Sequence, residues 1–443
     1  MGIIKLLFIT ILTFTFYKVF RGLVKFQTSW NWLVKNKIKF TKITKVYKIP
    51  KFTILIPVLR EQSIIHKTLE RFSMLKNVER IIFITTEKEN INKGNYSETT
   101  KQILEREKGK YKNIEITHYP ETFGVMSHQL NYACKILNSK PEDKDSFILV
   151  YNADSEIFQD TIDHFQKYLI QNPNSNIIQQ SAVFIGYFSK YKNTFIGEIL
   201  RAVALYQSRW TFSHEVYRLI NQIKSKKEFL KECGHVVGHG LCIRLSTLEK
   251  VGYFPSGVPN EDMPLGFFLR LLGEKIHLLP ILEIAESPRQ IKFVISQYIT
   301  WFYGVIYYPV YAGMAIKKYP NKKLQTFFWA ILNTARALTW LLVTYVWLFL
   351  FLYSSKINLT MFIFVIFVFM VYSVVNNFIV YRKLKLLFPN YFQIKYNPIL
   401  LLKFILAAMI VYIFQSIPPT IAVKNILVSK IFRKNLNKNK TER

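Results

Sequence analysis

The 443-residue sequence has few cysteines, and their arrangement excludes two common frameworks. Cys134, Cys233 and Cys242 are an odd number, and no two of them have the short spacing of a zinc site. A disulfide-based fold needs paired cysteines in an oxidising compartment. We therefore predict three reduced thiols in a protein that faces the cytosol.

Acidic residues are also scarce, because 28 Asp and Glu stand against 60 Lys and Arg, for a net charge of +32. Such an excess suits either nucleic acid or an anionic membrane surface. Half of the residues are apolar, and they are concentrated in long runs towards both ends. Nucleic-acid-binding proteins of this charge usually lack such runs. The composition predicts a lipid bilayer as a partner, and no nucleic acid.

The amino-terminal apolar run covers residues 3–20, which is near the lower limit for crossing a bilayer. No small-residue cleavage site follows it, so we predict an uncleaved anchor instead of a signal peptide. Residues 35–51 contain seven lysines and no acid. The positive-inside rule puts them on the cytoplasmic leaflet, with the amino terminus outside and the next domain inside.

The carboxyl-terminal third contains two further predicted spans, residues 326–353 and 359–381, joined by "SSKIN". A third run, 399–422, is interrupted by Pro418 and Pro419, which we expect to end a helix and turn the chain back as a re-entrant segment. The tail, 423–443, carries seven basic residues and one acid, so the prediction is three full crossings and a cytoplasmic carboxyl terminus. The aromatic-rich stretch 291–316 predicts helices at the membrane interface.

The central part has the composition of a soluble α/β domain. Helical patterns at 125–137 and 162–169 alternate with short β-rich runs, which are 52–58, 80–86, 113–119 and 146–152. This alternation predicts a doubly wound, mainly parallel sheet flanked by transmembrane and interfacial helices. Ligands of such sheets bind beyond the carboxyl ends of the strands.

Two carboxylates follow the fourth β-rich run, in "VYNADSE". A helix-capping turn is the ordinary explanation for such residues. The functional alternative is a divalent-metal site, because a carboxylate at a strand end holds Mg²⁺ or Mn²⁺ while substrate phosphates supply further ligands. Asp154 is then the predicted direct ligand and Glu156 a supporting one, whereas Asn152 offers a neutral oxygen.

A second acidic site is Glu261–Asp262, directly before an amphipathic helical pattern. It is either an N-terminal helix charge or a general base at the rim of the same cleft. Upstream, His235 and His239 have the spacing of zinc ligands, but no third ligand accompanies them. Gly238 and Gly240 fit a backbone that approaches a ligand closely.

The order of these segments resembles membrane-integrated family-2 glycosyltransferases with a GT-A fold, the group of cellulose, chitin and hyaluronan synthases. Five stretches over about residues 52–304 carry the resemblance, namely "ILIPVLREQSII", "MSHQLNYA", "NADSE", "GHGLCIR…LEKVGYFP…NEDMPLGFFLRLLG" and "QYITW". Three positions depart from the family pattern. Asn152 replaces the first Asp of the metal motif, His128 replaces a Lys, and Thr300 replaces the Arg of the last motif.

The resemblance implies an inverting transfer of a sugar from a nucleotide-sugar donor to a glycan or lipid-linked acceptor, with Mg²⁺ or Mn²⁺ as cofactor. The implied catalytic residues are Asp262 and Glu261, and the implied metal ligands are Asp154 and Glu156. The family has an aspartate after its second strand that contacts the nucleobase, and this aspartate is missing here. We predict that Glu87 takes its place. The implied substrate-binding residues are Pro57, Glu61, Glu87, His128, Asn131, Gly238, His239, Gln297 and Trp301.

The predicted domain organisation has six parts, which are an anchor (1–22), a basic juxtamembrane segment (23–51), a GT-A domain (52–285), interfacial helices (286–320), transmembrane helices (321–423) and a basic tail (424–443). The predicted location is multi-pass in the cell membrane, with a cytoplasmic catalytic domain. Two alternatives remain open. One is a single transfer to polyprenyl phosphate or a glycolipid, which Thr300 favours slightly over chain elongation. The other is a non-enzymatic transporter or scaffold.

Overall fold

A computed structural model describes residues 2–40, 50–91, 94, 96–224 and 233–431. The chain divides into two compact units. The first contains residues 1–30, 183–217 and 286–443, and the second contains residues 31–182 and 218–285. We refer to them as the helical unit and the sheet unit. Residues 183–217 thus cluster with the helical unit, although the sequence placed them inside a continuous catalytic domain.

The sheet unit is built on seven strands in the order β3-β2-β1-β4-β7-β5-β8. They are β1 (Phe52–Pro57), β2 (Arg80–Thr86), β3 (Ile114–Tyr119), β4 (Phe147–Val150), β5 (Ile177–Gln179), β7 (Leu241–Arg244) and β8 (Ile276–Leu278). All pairings are parallel except those of β7, which runs antiparallel to β4 and β5. A separate two-stranded sheet pairs β6 (Ala182–Val183) with β9 (Glu283–Ile284). The predicted mainly parallel sheet is confirmed.

Helices connect these strands. In chain order they are α2 (Ile65–Ser73), α3 (Lys88–Ile91), α4 (Thr100–Glu107), α5 (Met126–Asn138), α6 (Gln159–Gln171), α8 (Tyr217–Lys224), α9 (Leu245–Lys250) and α10 (Asp262–Leu272). β1, β2 and β4 are buried along almost their whole length, as central parallel strands are, and α2 and α6 cover one face with side chains such as Leu69, Phe72 and Phe165. The six parallel strands end at one edge of the sheet, which gathers the loops that follow them.

The helical unit contains α7 (Phe195–Trp210), followed by a π-helical turn (Thr211–Val216). Its other helices are α11 (Ile291–Ile306), α12 (Tyr308–Lys318), α13 (Lys323–Ile357), α14 (Leu359–Met370), α15 (Asn376–Leu387), α16 (Pro398–Ile413) and α17 (Ile417–Ile431), with a second π-helical turn (Val371–Val375) between α14 and α15. Helix α1 (Gly2–Phe40) begins in this unit. Residues 41–49 of the basic segment and the tail from residue 432 lie outside the described residues.

Four segments of the described chain are long and apolar enough to cross a membrane, and they are Gly2–Lys37, Pro320–Ile357, Leu359–Leu387 and Pro398–Ser429. Two predicted details are wrong. The "SSKIN" linker is helical as far as Ile357, so only Asn358 separates α13 from α14. The helix break precedes Pro418 and Pro419, which occupy the first turn of α17, where proline is tolerated because the first N–H groups have no partner within the helix.

The break between α16 and α17 lies inside the helical unit, where its polar groups find protein partners. The Ser416 N–H donates to Thr344 Oγ1 at 3.1 Å, and the Thr344 N–H donates to Ser416 Oγ at 3.0 Å. Trp340 Nε1 donates to the Gln415 carbonyl at 3.0 Å. Irregular backbone at membrane depth requires such internal partners.

The three cysteines are free, and all three are buried. Burial raises the pKa of the Cys134 and Cys242 thiols, so neither behaves as a nucleophile near neutral pH.

Candidate active site

The turn after β4 carries Asp154, and its neighbours fix its backbone. The Ala153 carbonyl accepts a hydrogen bond from Thr68 Oγ1 at 2.7 Å, and the Ser155 carbonyl accepts one from Arg71 Nη1 at 2.7 Å. Both donors lie on α2. Asp154 itself is partly exposed, whereas Ala153 and Ser155 are buried. Hydrogen bonds from α2 therefore fix Ala153 and Ser155, and Asp154 lies between them at the sheet edge.

Glu156 lies two residues further along and is engaged differently. Its Oε1 is 3.7 Å from Arg71 Nη2, and its backbone N–H donates to the Ile284 carbonyl at 3.4 Å, in a β-bridge to β9. Among the described residues, no group of three or more His, Cys, Asp or Glu side chains is arranged to hold a metal ion. Asp154 therefore fits the kind of Mg²⁺ or Mn²⁺ site in which one or two carboxylates act with phosphate and water ligands, and a site enclosed by protein ligands alone does not fit.

Asp262 is the first residue of α10, and its carboxylate accepts two backbone hydrogen bonds. Its Oδ2 accepts from the Gly238 N–H at 3.1 Å, and its Oδ1 accepts from the Met263 N–H at 2.7 Å. Glu261 precedes it in the N-cap position and is 6% exposed. Asp262 is thus a carboxylate at a helix N-terminus, as the first explanation expects, and its role as a general base stays a prediction.

The glycine loop, residues 238–240, connects Asp262 with the end of β4. The Gly240 N–H donates to the Val150 carbonyl, the last residue of β4, at 2.8 Å, and the Gly240 carbonyl accepts from the Gln180 N–H at 2.7 Å. Gly240 has φ of +66°, and a Cβ there would lie 2.5 Å from the Gln180 carbonyl oxygen. Only glycine fits this approach without strain. Asp262 is therefore joined to the end of β4 through three residues of backbone.

A third glycine brings α10 to this loop. A Cβ on Gly266 would lie 2.5 Å from the Val236 backbone nitrogen and 2.7 Å from His235 Cα. The helix that begins with Asp262 therefore packs directly against the chain leading into the glycine loop. Gly266 could not be identified from the sequence, because a glycine in a helical pattern does not reveal which backbone segment will pack against it.

His239 lies at the centre of the glycine loop and pairs with a carboxylate that the sequence analysis missed. His239 Nδ1 is 2.8 Å from Glu283 Oε2, and the His239 carbonyl accepts from Gln179 Nε2 at 2.8 Å. Glu283 belongs to β9, directly before Ile284, the partner of Glu156. The only available signal was a single acid within the apolar run "PILEIA".

Around the end of β1 the predicted residues are held mainly by backbone contacts. Pro57 ends the strand, and the Glu61 N–H donates to Thr100 Oγ1 at 3.0 Å. The buried acidic side chain in this region is Glu89, which was not among the residues predicted from the sequence. Its Oε1 accepts from Gln62 Nε2 at 2.7 Å and from the Thr100 N–H at 2.7 Å. Glu89 thus ties the loop after β1 to α4.

Glu87 follows β2 and belongs to a hydrogen-bonded chain. Its Oε2 lies 2.8 Å from His118 Nε2, and His118 Nδ1 lies 2.9 Å from Thr85 Oγ1. Hydrogen bonds from the Asn90 and His118 side chains hold the pKa of the Glu87 carboxyl below its ordinary value. The lowered pKa keeps this carboxylate ionised at neutral pH, and its predicted contact with the nucleobase stays a prediction.

Helix α5 carries His128 and Asn131, and both have local partners. His128 Nδ1 accepts from the Val125 N–H at 3.2 Å at the start of the helix. Asn131 exchanges two 2.8 Å hydrogen bonds with the backbone of Phe254. Asn131 thus connects α5 to the segment that leads towards Glu261. Their predicted substrate contacts stay predictions.

Gln297 and Trp301 lie on α11 in the helical unit. Gln297 is 5% exposed, and its Oε1 accepts from Gln207 Nε2 at 2.7 Å. Trp301 is partly exposed within an aromatic cluster, with ring centroids 5.5 Å from Phe184 and 5.6 Å from Tyr298. Their acceptor-binding role also stays a prediction.

Comparison with known proteins gives a family match over part of the chain. Residues 190–379 match the family described as Glycosyl transferase family group 2, a stretch that includes the glycine loop and Asp262 but begins after Asp154. No curated protein matches the chain. Among solved structures, the mannosyltransferase PcManGT from Pyrobaculum calidifontis, in complex with GDP-Man and Mn²⁺, is similar over 90% of this chain and 99% of that one, at 12% identity and a TM-score of 0.42. A similarity at this level says nothing about the ligands of this chain. The family match confirms the predicted enzyme class, a glycosyltransferase.

Proposed function

We propose that the protein is an inverting glycosyltransferase that moves a sugar from a nucleotide-sugar donor to a glycan or lipid-linked acceptor at the cytoplasmic face of the cell membrane. The observation that carries this proposal is the backbone link between Asp262 and the end of β4, the strand that leads to Asp154. The glycine loop bonds to the end of β4 through Gly240 and to Asp262 through Gly238. This link supports a donor-binding role for Asp154 and a base role for Asp262, since doubly wound folds bind ligands at this edge of the sheet.

Asp154, with Glu156 in support, is the residue proposed to hold Mg²⁺ or Mn²⁺. The cation would offset the negative charge on the departing diphosphate. This assignment is supported by the partly exposed position of Asp154 after a buried strand, and by the scarcity of other acids in the chain.

Asp262 is the proposed general base. Its carboxylate takes the proton of the acceptor hydroxyl as that oxygen forms a bond to the anomeric carbon, while the bond from that carbon to the donor phosphate oxygen breaks. Attack from the side opposite the leaving group inverts the anomeric centre. The two backbone N–H groups that bind Asp262 fix its orientation, which a general base requires.

One observation favours a single transfer to a lipid acceptor, such as polyprenyl phosphate or a glycolipid, over chain elongation. Thr300 stands where the related synthases have an arginine, and its Oγ1 donates to the Ser296 carbonyl of its own helix at 3.1 Å. A short hydroxyl bonded to its own helix cannot replace a long cationic side chain.

The test is transfer from a panel of radiolabelled nucleotide sugars by membranes containing the protein, with Mn²⁺ added and with metal chelated. We expect Asp154→Asn to abolish the Mn²⁺-dependent transfer while the protein remains folded in the membrane. Asp160→Asn is the matched control, because it makes the same chemical change at an exposed position six residues away. Wild-type turnover by Asp154→Asn at limiting Mn²⁺ would remove Asp154 from the metal site, and no transfer by the wild type would point to a scaffold.

A further inference from the structure

The pair formed by His239 and Glu283 has the features of a functional dyad in the sheet unit. The Glu283 side chain is 1% exposed and the His239 side chain is 16% exposed. Removing a carboxylate from water is costly unless a partner compensates its charge. The imidazole, at 2.8 Å, is such a partner, and Glu283 is the counter-charge that a protonated imidazole needs. The buried member of the pair thus supports the member that reaches the surface.

The backbone on both sides of His239 is fixed by the contacts already described. Gly238 bonds to Asp262, Gly240 bonds to the end of β4, and Gln179 holds the His239 carbonyl. Glu283 is held by the segment that pairs with its strand, since its N–H donates to the carbonyl of Ser181, directly before β6, at 3.0 Å. The ring of His239 therefore has little freedom to turn.

The dyad lies between the two acidic sites. His239 is one residue from Gly238, the partner of Asp262, and Glu283 is one residue from Ile284, the partner of Glu156. A donor whose metal-bound diphosphate is next to Asp154 and whose sugar faces Asp262 would carry its phosphates past this position. Three separate segments of the chain meet here, which sequence spacing alone does not reveal.

We propose that Glu283 positions His239 to bind the diphosphate of the nucleotide-sugar donor, with the Nε2–H of His239 donating to a phosphate oxygen. This inference rests on the proposed function. The Glu283 carboxylate accepts the proton of Nδ1, so donation from Nε2 uses the imidazolium form of the ring, whose charge the carboxylate balances. The negative charge on the diphosphate grows as the sugar departs, and a fixed donor then stabilises the transition state more than the ground state. Glu283 is a positioning residue, since it acts through His239.

The experiment measures binding of inorganic pyrophosphate to the purified full-length protein in the presence of Mn²⁺, together with binding of Mn²⁺ alone. We expect Glu283→Gln and His239→Gln each to weaken pyrophosphate binding roughly ten- to a hundredfold, the range for a lost charge-assisted hydrogen bond, with Mn²⁺ binding unchanged. The double variant should bind pyrophosphate as His239→Gln does, because Glu283 has no effect once its histidine is gone.

Tyr168→Phe is the matched control. The Tyr168 hydroxyl lies 2.8 Å from His277 Nδ1, so this variant also removes a histidine partner in the sheet unit, but away from the glycine loop. We expect its pyrophosphate binding to be unchanged. His239→Gln is the second route to the answer if Glu283→Gln does not fold, because His239 is the more exposed member of the pair.

Two results would overturn the inference. One is wild-type pyrophosphate affinity in both single variants, and the other is a double variant in which the two losses add in full. A wild-type protein that binds no pyrophosphate with Mn²⁺ and transfers no sugar would instead contradict the proposed function. Wild-type binding with unaffected variants would reject the dyad alone.

Discussion

The sheet edge and the Arg209 site of the helical unit hold charged side chains in different ways. In the sheet unit, the carboxylates at the sheet edge are held by backbone N–H groups and by a histidine, as Asp262 and Glu283 are. In the helical unit, the buried Arg209 guanidinium lies 5.2 Å to 5.6 Å from the ring centres of Tyr206, Tyr372 and Tyr412. A cation over aromatic faces is stabilised without an acid. The first arrangement fixes carboxylates at the sheet edge, and the second binds helices together.

This difference predicts where substitutions act. A carboxylate at the sheet edge should control turnover with little effect on folding, because its partners are backbone groups that remain in place. Residues that bring elements together should change stability first.

We expect Asp262→Asn to lower transfer by about 10²–10⁴-fold, the usual contribution of a general base, with donor binding retained. The amide cannot accept the acceptor proton, although its oxygen can still accept a backbone hydrogen bond. Single-turnover rates and donor affinity would be measured together. Glu261→Gln is the paired variant, and if it is inactive while Asp262→Asn remains active, the base has been assigned to the wrong neighbour.

Gly266→Ala should reduce both stability and activity, because the added Cβ would lie 2.5 Å from the Val236 backbone nitrogen. Overpacking of this kind typically costs about 1–3 kcal/mol in free energy of unfolding, and α10 would have to move with Asp262. Thermal unfolding and turnover are the measurements. Gly109→Ala is the control, since a Cβ there meets no atom within 4 Å, and equal losses in both variants would contradict the packing argument.

Trp301→Ala should raise the apparent acceptor KM, through loss of an apolar face for a sugar ring, while donor KM stays the same. A loss of about 1–2 kcal/mol corresponds to roughly five- to thirtyfold. Titration of acceptor at saturating donor measures the effect. Normal turnover with unchanged acceptor affinity would assign Trp301 to the aromatic cluster alone, as an anchor of the kind that membrane interfaces favour.

The last prediction concerns the tail and should leave activity unchanged. The basic composition of residues 423–443 predicts a cytoplasmic carboxyl terminus. A cysteine introduced at position 439, which lies outside the described residues, would be probed with a membrane-impermeant thiol reagent on intact cells. We expect labelling only after permeabilisation, and labelling of intact cells would indicate a fourth full crossing through α16 and α17.

Much of the sheet unit was predictable because strand patterns are local. The runs predicted at 52–58 and 80–86 became β1 (Phe52–Pro57) and β2 (Arg80–Thr86), since a few consecutive apolar, β-branched residues suffice to specify a buried strand. The helical unit was predictable in the number of its long apolar segments. Hydropathy could not predict the π-helical turn (Val371–Val375) or the break before Ile417, because it is averaged over windows longer than these irregularities.

Three features could be predicted from the sequence alone. They are the alternation of strands and helices, the apolar spans, and the positions of Asp154 and Asp262 at the ends of patterned segments. Each depends on residues adjacent in the chain. Two features became visible only in the tertiary structure. Residues 183–217 cluster with the helical unit, and Glu283 contacts His239, which is 44 residues away in the chain. Such contacts depend on which strands pair and how closely glycines let the backbone approach, and these are properties of the packed chain, which no local pattern records.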